Sequence, residues 1–236
     1  VSSGNDRMLR LWDWSDPEAA ATPLQGHAGY VWGLAISKDG QMLASSGADG
    51  NVLLWNIAHR QPLAEVLDGH EQRVGPVAFS PDGELVASAA CGTPSDRWDP
   101  DSCVRSEILL WDARLRSPRY PLIEANNRWT RQLSFDSTGT LLASSGCGDF
   151  GRGIRSCKSG EVLLWDVGSG KSSGKPLSGH ADTAWSFAFS PDGRLGASGS
   201  CARASDRGLC QMGEITLWDL DTRTAKDTFT TGASGD

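Results

Sequence analysis

Short apolar segments alternate with polar turns along the whole chain, and the stretch from residue 23 to residue 56 shows the pattern with least interruption. The apolar runs of this repeat are residues 31–37, 42–46, 52–55 and 63–67, with turns at Lys38-Asp39-Gly40 and Asp49-Gly50. Runs of this length, ended by Asp and Gly, are typical of strands in β-hairpins. Useful helical periodicity is absent, so the pattern predicts an all-β protein with four short antiparallel strands per repeat.

The apolar runs recur with a regular ending. Each repeat closes with a tryptophan followed by an acid or its amide, at Trp12-Asp13, Trp55-Asn56, Trp111-Asp112, Trp165-Asp166 and Trp218-Asp219. The tryptophans are 43, 56, 54 and 53 residues apart, so the repeats end near residues 13, 56, 112, 166 and 219. Repeats of this size do not close separate cores and must stack on one another.

Further motifs accompany the tryptophans. They are the pairs Gly26-His27, Gly69-His70 and Gly179-His180, and the Phe-Ser-Pro-Asp-Gly turns at 79–83 and 189–193. With these motifs the chain resembles the WD-repeat β-propeller family over nearly its whole length. The resemblance implies that each repeat supplies one outer strand and then three inner strands. Residues 1–236 are then expected to form a single β-propeller segment with four complete four-stranded blades and a partial fifth, within a larger propeller of about seven blades.

The resemblance also implies a hydrogen-bonded structural set made of His27, Ser45, Asp49 and Trp55. A buried imidazole and a buried indole N–H both need partners, and a carboxylate in the turn can orient the histidine. A hydrolase triad of His27, Ser45 and Asp49 is the competing interpretation. It is disfavoured because the same residues recur as scaffold in other repeats, where His70 and His180 are expected to play the same part.

Three repeats depart from this pattern. The aspartate position holds Arg105, Ser159 and Met212, because loop insertions at residues 91–106, 147–160 and 201–213 replace the short turn. One of these repeats also has Ala125-Asn126 where Gly-His is expected. These repeats need a substitute for the lost polar contacts, and their cysteines are the first candidates.

All six cysteines lie in the insertions, two in each. Cys91, Cys147 and Cys201 stand three residues after the repeated serine, and Cys103, Cys157 and Cys210 stand eight residues before the tryptophan. Stem positions that face each other across a hairpin suit a disulfide, so we expect the bridges 91–103, 147–157 and 201–210. Zinc shared between neighbouring blades and free buried thiols are the alternatives. No metal or other cofactor is expected.

A glutamate accompanies each insertion, at Glu107, Glu161 and Glu214, four residues before the tryptophan. The repeats without an insertion have Met8 and Asn51 there. We expect each glutamate to begin a strand and to pair with a loop arginine of its insertion, namely Arg97, Arg152 or Arg207.

The insertions indicate a partner-binding face. The family resemblance implies that they emerge on one rim together with the loops that enter each first inner strand. Aromatic and arginine side chains are the usual anchors of interfaces. The candidates on this face are Tyr30, Trp32, Arg73, Trp98, Trp129, Arg131, Phe150 and Trp185. For Trp32 and Trp185, packing between blades is an equally weighted alternative.

Composition narrows the function. A net charge of −7 disfavours non-specific nucleic-acid binding, and no apolar stretch approaches the roughly 20 residues of a membrane helix. Without a phosphate loop, metal cluster or nucleophile elbow, the sequence favours a non-enzymatic interaction scaffold or sensor that binds a protein or peptide. A propeller that binds a small ligand or glycan on the same face is the alternative. The rest of the ring is expected from the parent chain or a second copy. Family context favours the cytoplasm, whereas the cysteine pairs favour an oxidising compartment.

Overall fold

A computed structural model describes residues 1–13, 15–16, 20–57, 61–94, 103–119, 123–150, 157–204 and 210–231. Every regular element within these residues is a β-strand, and all the strand pairings are antiparallel, which confirms the all-β prediction. No helix able to span a membrane occurs in this part of the chain. The chain divides into two compact units, one formed by Val1–Gly92 with Glu107–Leu122 and the other by Thr93–Ser106 with Ile123–Asp236.

The first unit contains three sheets. The first sheet comprises β1 (Ser2–Ser3), β2 (Met8–Leu11) and β3 (Thr22–Gln25). The second comprises β4 (Val31–Ile36), β5 (Met42–Gly47), β6 (Val52–Asn56) and β7 (Gln61–Leu67). Strands β8 (Val74–Phe79), β9 (Leu85–Pro94), β10 (Cys103–Asp112) and β11 (Ser117–Pro118) are part of a nine-stranded sheet, and this part is called the third sheet. The strands of the second sheet agree with the four predicted runs to within about two residues.

Alternating side chains of each central strand build the core of this unit. Leu53 and Trp55 of β6 are buried in a cluster with Leu9 and Leu43. Val52 and Leu54, which point to the other side of the sheet, are buried in a second cluster with Val86, Leu109 and Trp111 of the third sheet. Because side chains alternate along a strand, one apolar run supplies both faces of the sheet. Trp55 and Trp111 therefore lie on buried faces of their sheets.

The second unit contains the remaining strands. The other part of the nine-stranded sheet, called the fourth sheet, comprises β12 (Ile123–Phe135), β13 (Leu141–Phe150) and β14 (Cys157–Asp166), with β15 (Lys171–Ser172) and β16 (Leu177–His180) both paired to β14. The fifth comprises β17 (Ser186–Phe189), β18 (Leu195–Ala204), β19 (Cys210–Asp219) and β20 (Thr224–Thr231). Leu164 and Leu177 of the fourth sheet are buried with Phe187 and Trp218 of the fifth.

The insertions lengthen the central hairpins. Strands β5 and β6 have 6 and 5 residues, whereas both strands of each inserted hairpin have 10. Strand β12 is also long, with 13 residues, and it continues through residues 125–126, where other repeats have the Gly-His turn. Without that turn the chain stays extended from one repeat into the next.

Candidate functional site

Hydrogen bonds join His27, Ser45, Asp49 and Trp55 in the second sheet. Nδ1 of His27 lies 3.0 Å from Oδ2 of Asp49, and Nε2 lies 2.8 Å from Oγ of Ser45. The indole Nε1 of Trp55 donates to the same Ser45 oxygen at 2.8 Å. A carboxylate only accepts, so Nδ1 of His27 donates to Asp49. Every buried polar atom of this structural set thereby has a partner.

The carboxylate of Asp49 also binds backbone groups. Oδ2 accepts from the N–H of Ala28 at 2.8 Å, and Oδ1 accepts from the N–H of Asn51 at 3.2 Å. Burial alone would raise the pKa of this carboxyl group. The charge interaction with His27 and these hydrogen bonds outweigh burial, so the pKa of Asp49 lies below its ordinary value. Asp49 therefore ties the loop that enters β4 to the turn between β5 and β6.

The glycines before His27 and His70 have a packing reason. A Cβ atom on Gly26 would lie 2.9 Å from Cη2 of Trp55, and a Cβ on Gly69 would lie 2.8 Å from Cη2 of Trp111. Both separations are shorter than real Cβ contacts allow. The Gly-His pair therefore lets the chain pass close against the tryptophan ring while the histidine reaches the serine.

The third sheet builds the same set with a different acid. Nε2 of His70 lies 2.8 Å from Oγ of Ser88, and Nε1 of Trp111 donates to that oxygen at 2.7 Å. Nδ1 of His70 lies 2.7 Å from Oε1 of Glu107, which lies in the buried part of β10. The glutamate that accompanies the insertion thus occupies the place of Asp49.

The fifth sheet repeats this solution. His180 bonds Glu214 through Nδ1 and Ser198 through Nε2, and Trp218 donates to Ser198 at 2.6 Å. Glu107 and Glu214 thus bond histidines, partners that the prediction of loop arginines did not include. Arg97, Arg152 and Arg207 lie outside the described residues. In the third and fifth sheets the expectation that cysteines replace the aspartate is wrong, because a carboxylate does so.

Two sheets keep only part of the set. In the fourth sheet, Trp165 donates to Ser144 at 3.0 Å, and the repeat has no histidine in the Gly-His position. In the first sheet, Trp12 donates to Ser2 at 2.9 Å, with half of the indole exposed. The bond from tryptophan to serine is therefore present in all five repeats, and the histidine and acid extend it in three.

Each insertion is closed by a disulfide. Cys147 bonds Cys157, with Cα atoms 5.8 Å apart, and Cys201 bonds Cys210, with Cα atoms 5.7 Å apart. Cys91 and Cys103 are also disulfide-bonded. Since the other four cysteines are paired with one another, the third bridge is 91–103. The three predicted pairs are confirmed, and no cysteine is left as a free thiol.

The register of the bridged hairpins differs from the prediction of directly facing stems. In the fourth sheet, Cys147 lies opposite Gly160, and Cys157 lies opposite Phe150. The ladder shifts on either side of Asp149. An irregularity of this kind offsets the two strands, and the disulfide therefore crosses the hairpin diagonally.

The candidate partner-binding residues of the first unit lie at the exposed strand entries. The side chains of Tyr30 and Trp32 are 51% and 43% exposed, and Arg73, just before β8, is also exposed. The carbonyl oxygen of Tyr30 accepts from the N–H of Ala48 at 2.8 Å. This bond places Tyr30 beside the turn between β5 and β6, on the same rim as the carboxylate of Asp49.

In the second unit, Trp185 and Arg131 form an exposed pair. The indole of Trp185 is 53% exposed, and its backbone N–H donates to the carbonyl of Gly199 at 2.8 Å. The guanidinium carbon of Arg131 lies 4.5 Å from the centroid of the indole, within the range of a cation–π contact. Trp129, two residues before Arg131, is half-buried.

Two further candidates are not placed by the structure. Trp98 lies outside the described residues, and the side chain of Phe150, at the end of β13, lies outside them as well. Among the residues that are described, no three histidine, cysteine or acidic side chains gather in a way that could hold a metal ion.

Glu107 and Glu214 are the members of the structural set that sequence reasoning missed. The signal was present, because the glutamate occurs only in repeats that carry an insertion. It lay two residues beyond the expected aspartate position, and only the path of the lengthened hairpin connects it with the histidine.

Comparison with known families gives a consistent result. The model described as "WD domain, G-beta repeat" matches residues 20–56, 61–104 and 171–209, about half of the chain. No curated protein matches the sequence. Two of the matched segments end inside an insertion, where the spacing departs from that of the second repeat. Together with the antiparallel sheets and the repeated bond between serine and tryptophan, the match shows that the chain belongs to the WD40 family.

Proposed function

We propose that this chain is a non-enzymatic interaction scaffold or sensor that binds another protein or a peptide through the rim bearing the disulfide-closed hairpins. WD40 repeats generally mediate interactions between proteins. The proposed architecture is a β-propeller segment of four complete blades and a partial fifth, within a ring of about seven blades.

An internal comparison supports further blades. The residue three positions before the repeat tryptophan is fully buried as Val52, Ile108 and Val162, but Ile215 in the fifth sheet is 45% exposed. The partners across the strand differ in the same way. Leu67, opposite Val52, is buried, whereas Phe229, opposite Ile215, is 51% exposed. An apolar pair that is covered by a neighbouring sheet elsewhere supports another sheet packing here.

The non-enzymatic assignment rests on the environment of the serines. Ser45, Ser88 and Ser198 are buried, and each hydroxyl oxygen already contacts a histidine and a tryptophan. A nucleophile must reach a substrate, and these oxygens are enclosed between side chains of their own sheets. Their arrangement supports a structural role.

The observation that carries the binding proposal is the exposed pair of Arg131 and Trp185. A large aromatic ring that stays half exposed beside a guanidinium group offers both apolar area and charge to a partner. In the first unit, Tyr30 and Trp32 present comparable exposed area at the equivalent strand entry. Aromatic and arginine residues of this kind are enriched among the anchors of protein interfaces.

The test uses the full-length parent protein. Its partner would be captured by cross-linking, identified, purified and titrated against variants. We expect Trp185→Ala and Arg131→Ala each to weaken binding by about 2 kcal/mol, roughly thirtyfold in Kd. Matched controls are Arg194→Ala, an exposed arginine in the turn before β18, and Leu115→Ala, an exposed apolar residue in the turn between β10 and β11. If the control changes abolish binding and the other two do not, the rim has been assigned wrongly.

A further inference from the structure

The three disulfides differ in their access to solvent. Both cysteines of the first bridge are buried, with Cys91 4% and Cys103 2% exposed. In the second bridge Cys147 is buried and Cys157 is half-buried. In the third, Cys201 is 4% exposed, whereas Cys210 is an exposed residue at the start of β19. The same local bridge is therefore built three times, and only the third has an exposed end.

Access decides whether a disulfide reacts. Exchange requires a thiolate to approach one sulfur along the S–S axis, so a bridge with both cysteines buried must first open. We propose that the bridge between Cys201 and Cys210 is a thiol–disulfide exchange site for low-molecular-weight thiols, with attack directed to the sulfur of Cys210. The bridge of Cys91 and Cys103 is the protected structural counterpart.

The chemistry is balanced in two steps. The incoming thiolate forms an S–S bond with Sγ of Cys210 as the bond to Cys201 breaks, and the electron pair of that bond leaves on Sγ of Cys201, which takes up a proton. The first product is a mixed disulfide at Cys210. A second thiolate then attacks the small-molecule sulfur and releases Cys210 as a thiol. Two cysteines are thereby reduced, and two small thiols are oxidised to one disulfide.

Contacts other than the disulfide also hold this hairpin. Strands β18 and β19 are paired from Leu195 opposite Asp219 to Ala204 opposite Cys210. The backbone ladder therefore continues along the hairpin below the bridge. Ser200, opposite Glu214, also donates to the carbonyl of Asp182 at 3.0 Å, and Glu214 bonds His180. We therefore expect exchange at Cys210 to leave the fifth sheet folded.

The test compares the three bridges within one molecule. The full chain would be incubated with reduced glutathione under native conditions, quenched by alkylation at intervals and mapped by mass spectrometry. We expect the bridge 201–210 to open at least about tenfold faster than 91–103, because access controls exchange, with 147–157 between them. The glutathione adduct should be found on Cys210, and Cys201 should carry the alkyl group.

Two outcomes would overturn the proposal. One is opening of all three bridges at a single rate, and the other is a glutathione adduct on Cys201. A Cys201→Ser/Cys210→Ser double variant supplies the second measurement. Its remaining bridges should react with glutathione at their original rates. Faster opening of 91–103 in this variant would show that exchange follows general loosening of the protein and not local access at Cys210.

Discussion

The second and third sheets hold a histidine, a serine and a tryptophan in the same relation, yet they take the acid from different places in the sequence. In the second sheet the acid is Asp49, in the turn between β5 and β6. In the third sheet it is Glu107, within the longer strand β10. Both carboxylates meet Nδ1 of a buried imidazole at about the same distance, 3.0 and 2.7 Å. The hydrogen-bonding requirement is therefore shared, and the residue that meets it depends on the length of the hairpin.

The length of the hairpin explains why the acid comes from a different position in the two sheets. Where the hairpin is short, the turn itself lies beside the histidine, and a short aspartate side chain reaches the ring. Where the hairpin continues past this point, the turn has moved away, and a residue at the base of the hairpin must reach across. Glu107 does so over Gly92, where a Cβ atom would lie 2.8 Å from Oε2. In the third sheet, a glutamate with a glycine beside its carboxylate replaces the aspartate.

The largest expected effect on stability concerns the repeat tryptophan, which is present in both sheets. Trp55→Ala and Trp111→Ala should each lower the free energy of unfolding by about 3–5 kcal/mol, because both rings are fully buried. Urea denaturation would measure the loss. The matched control is Trp12→Ala, which removes an indole that also donates to a serine but is 51% exposed. A comparable loss for Trp12→Ala would show that the serine bond, and not burial, dominates.

The second prediction tests whether the third sheet needs a glutamate where the second sheet uses an aspartate. Glu107→Gln and Glu107→Asp should each cost about 1–3 kcal/mol, since both disturb the buried acceptor of His70 and the shorter aspartate does not span the gap. Glu124→Gln is the control, because its carboxylate is exposed and paired with the exposed Arg105. Thermal melts of the three variants would provide the comparison. Full stability of Glu107→Asp would disprove the argument from side-chain length.

The smallest effect is a dependence on pH. The folded state holds the pKa of Asp49 below its ordinary value of about 3.9. Its ionised form therefore stabilises the protein above that value, and this contribution is lost as the pH falls through the lower folded pKa. In melting curves from pH 7 to pH 3, we expect the stability difference between the wild type and Asp49→Asn to narrow with acidification. A difference that stays constant over this pH range would contradict the prediction.

Much of the fold follows from the order of residues. The runs of the second repeat predicted β4 to β7, because period-two alternation and Asp-Gly turns are local signals. The cysteine pairs were also predictable, because their offsets from the serine and the tryptophan stay constant while the loop between them varies. The offset between the paired cysteines was not predictable, since the shift around Asp149 depends on how the two strands pack against each other.

For the candidate partner-binding residues, too, the sequence predicted one part and the structure showed the other. Alignment of the strand entries brought out Tyr30, Arg131 and Trp185 as residue types suited to an interface. Only the packed structure placed the guanidinium group of Arg131 over the ring of Trp185 and left that ring half exposed. Contact between residues 54 positions apart is a tertiary property that no local pattern encodes.

The sequence by itself determined the strands, the turns, the repeat and the partners of the cysteines, because each depends on residues close in the chain or on fixed offsets between repeats. Tertiary structure decided which carboxylate meets each buried histidine and which disulfide end is exposed. His70 and Glu107 are separated by 37 residues, and His180 and Glu214 by 34. The N–H of a buried imidazole donates to whichever carboxylate the folded chain brings within about 3 Å of it. That choice is made by the path of a lengthened hairpin in space.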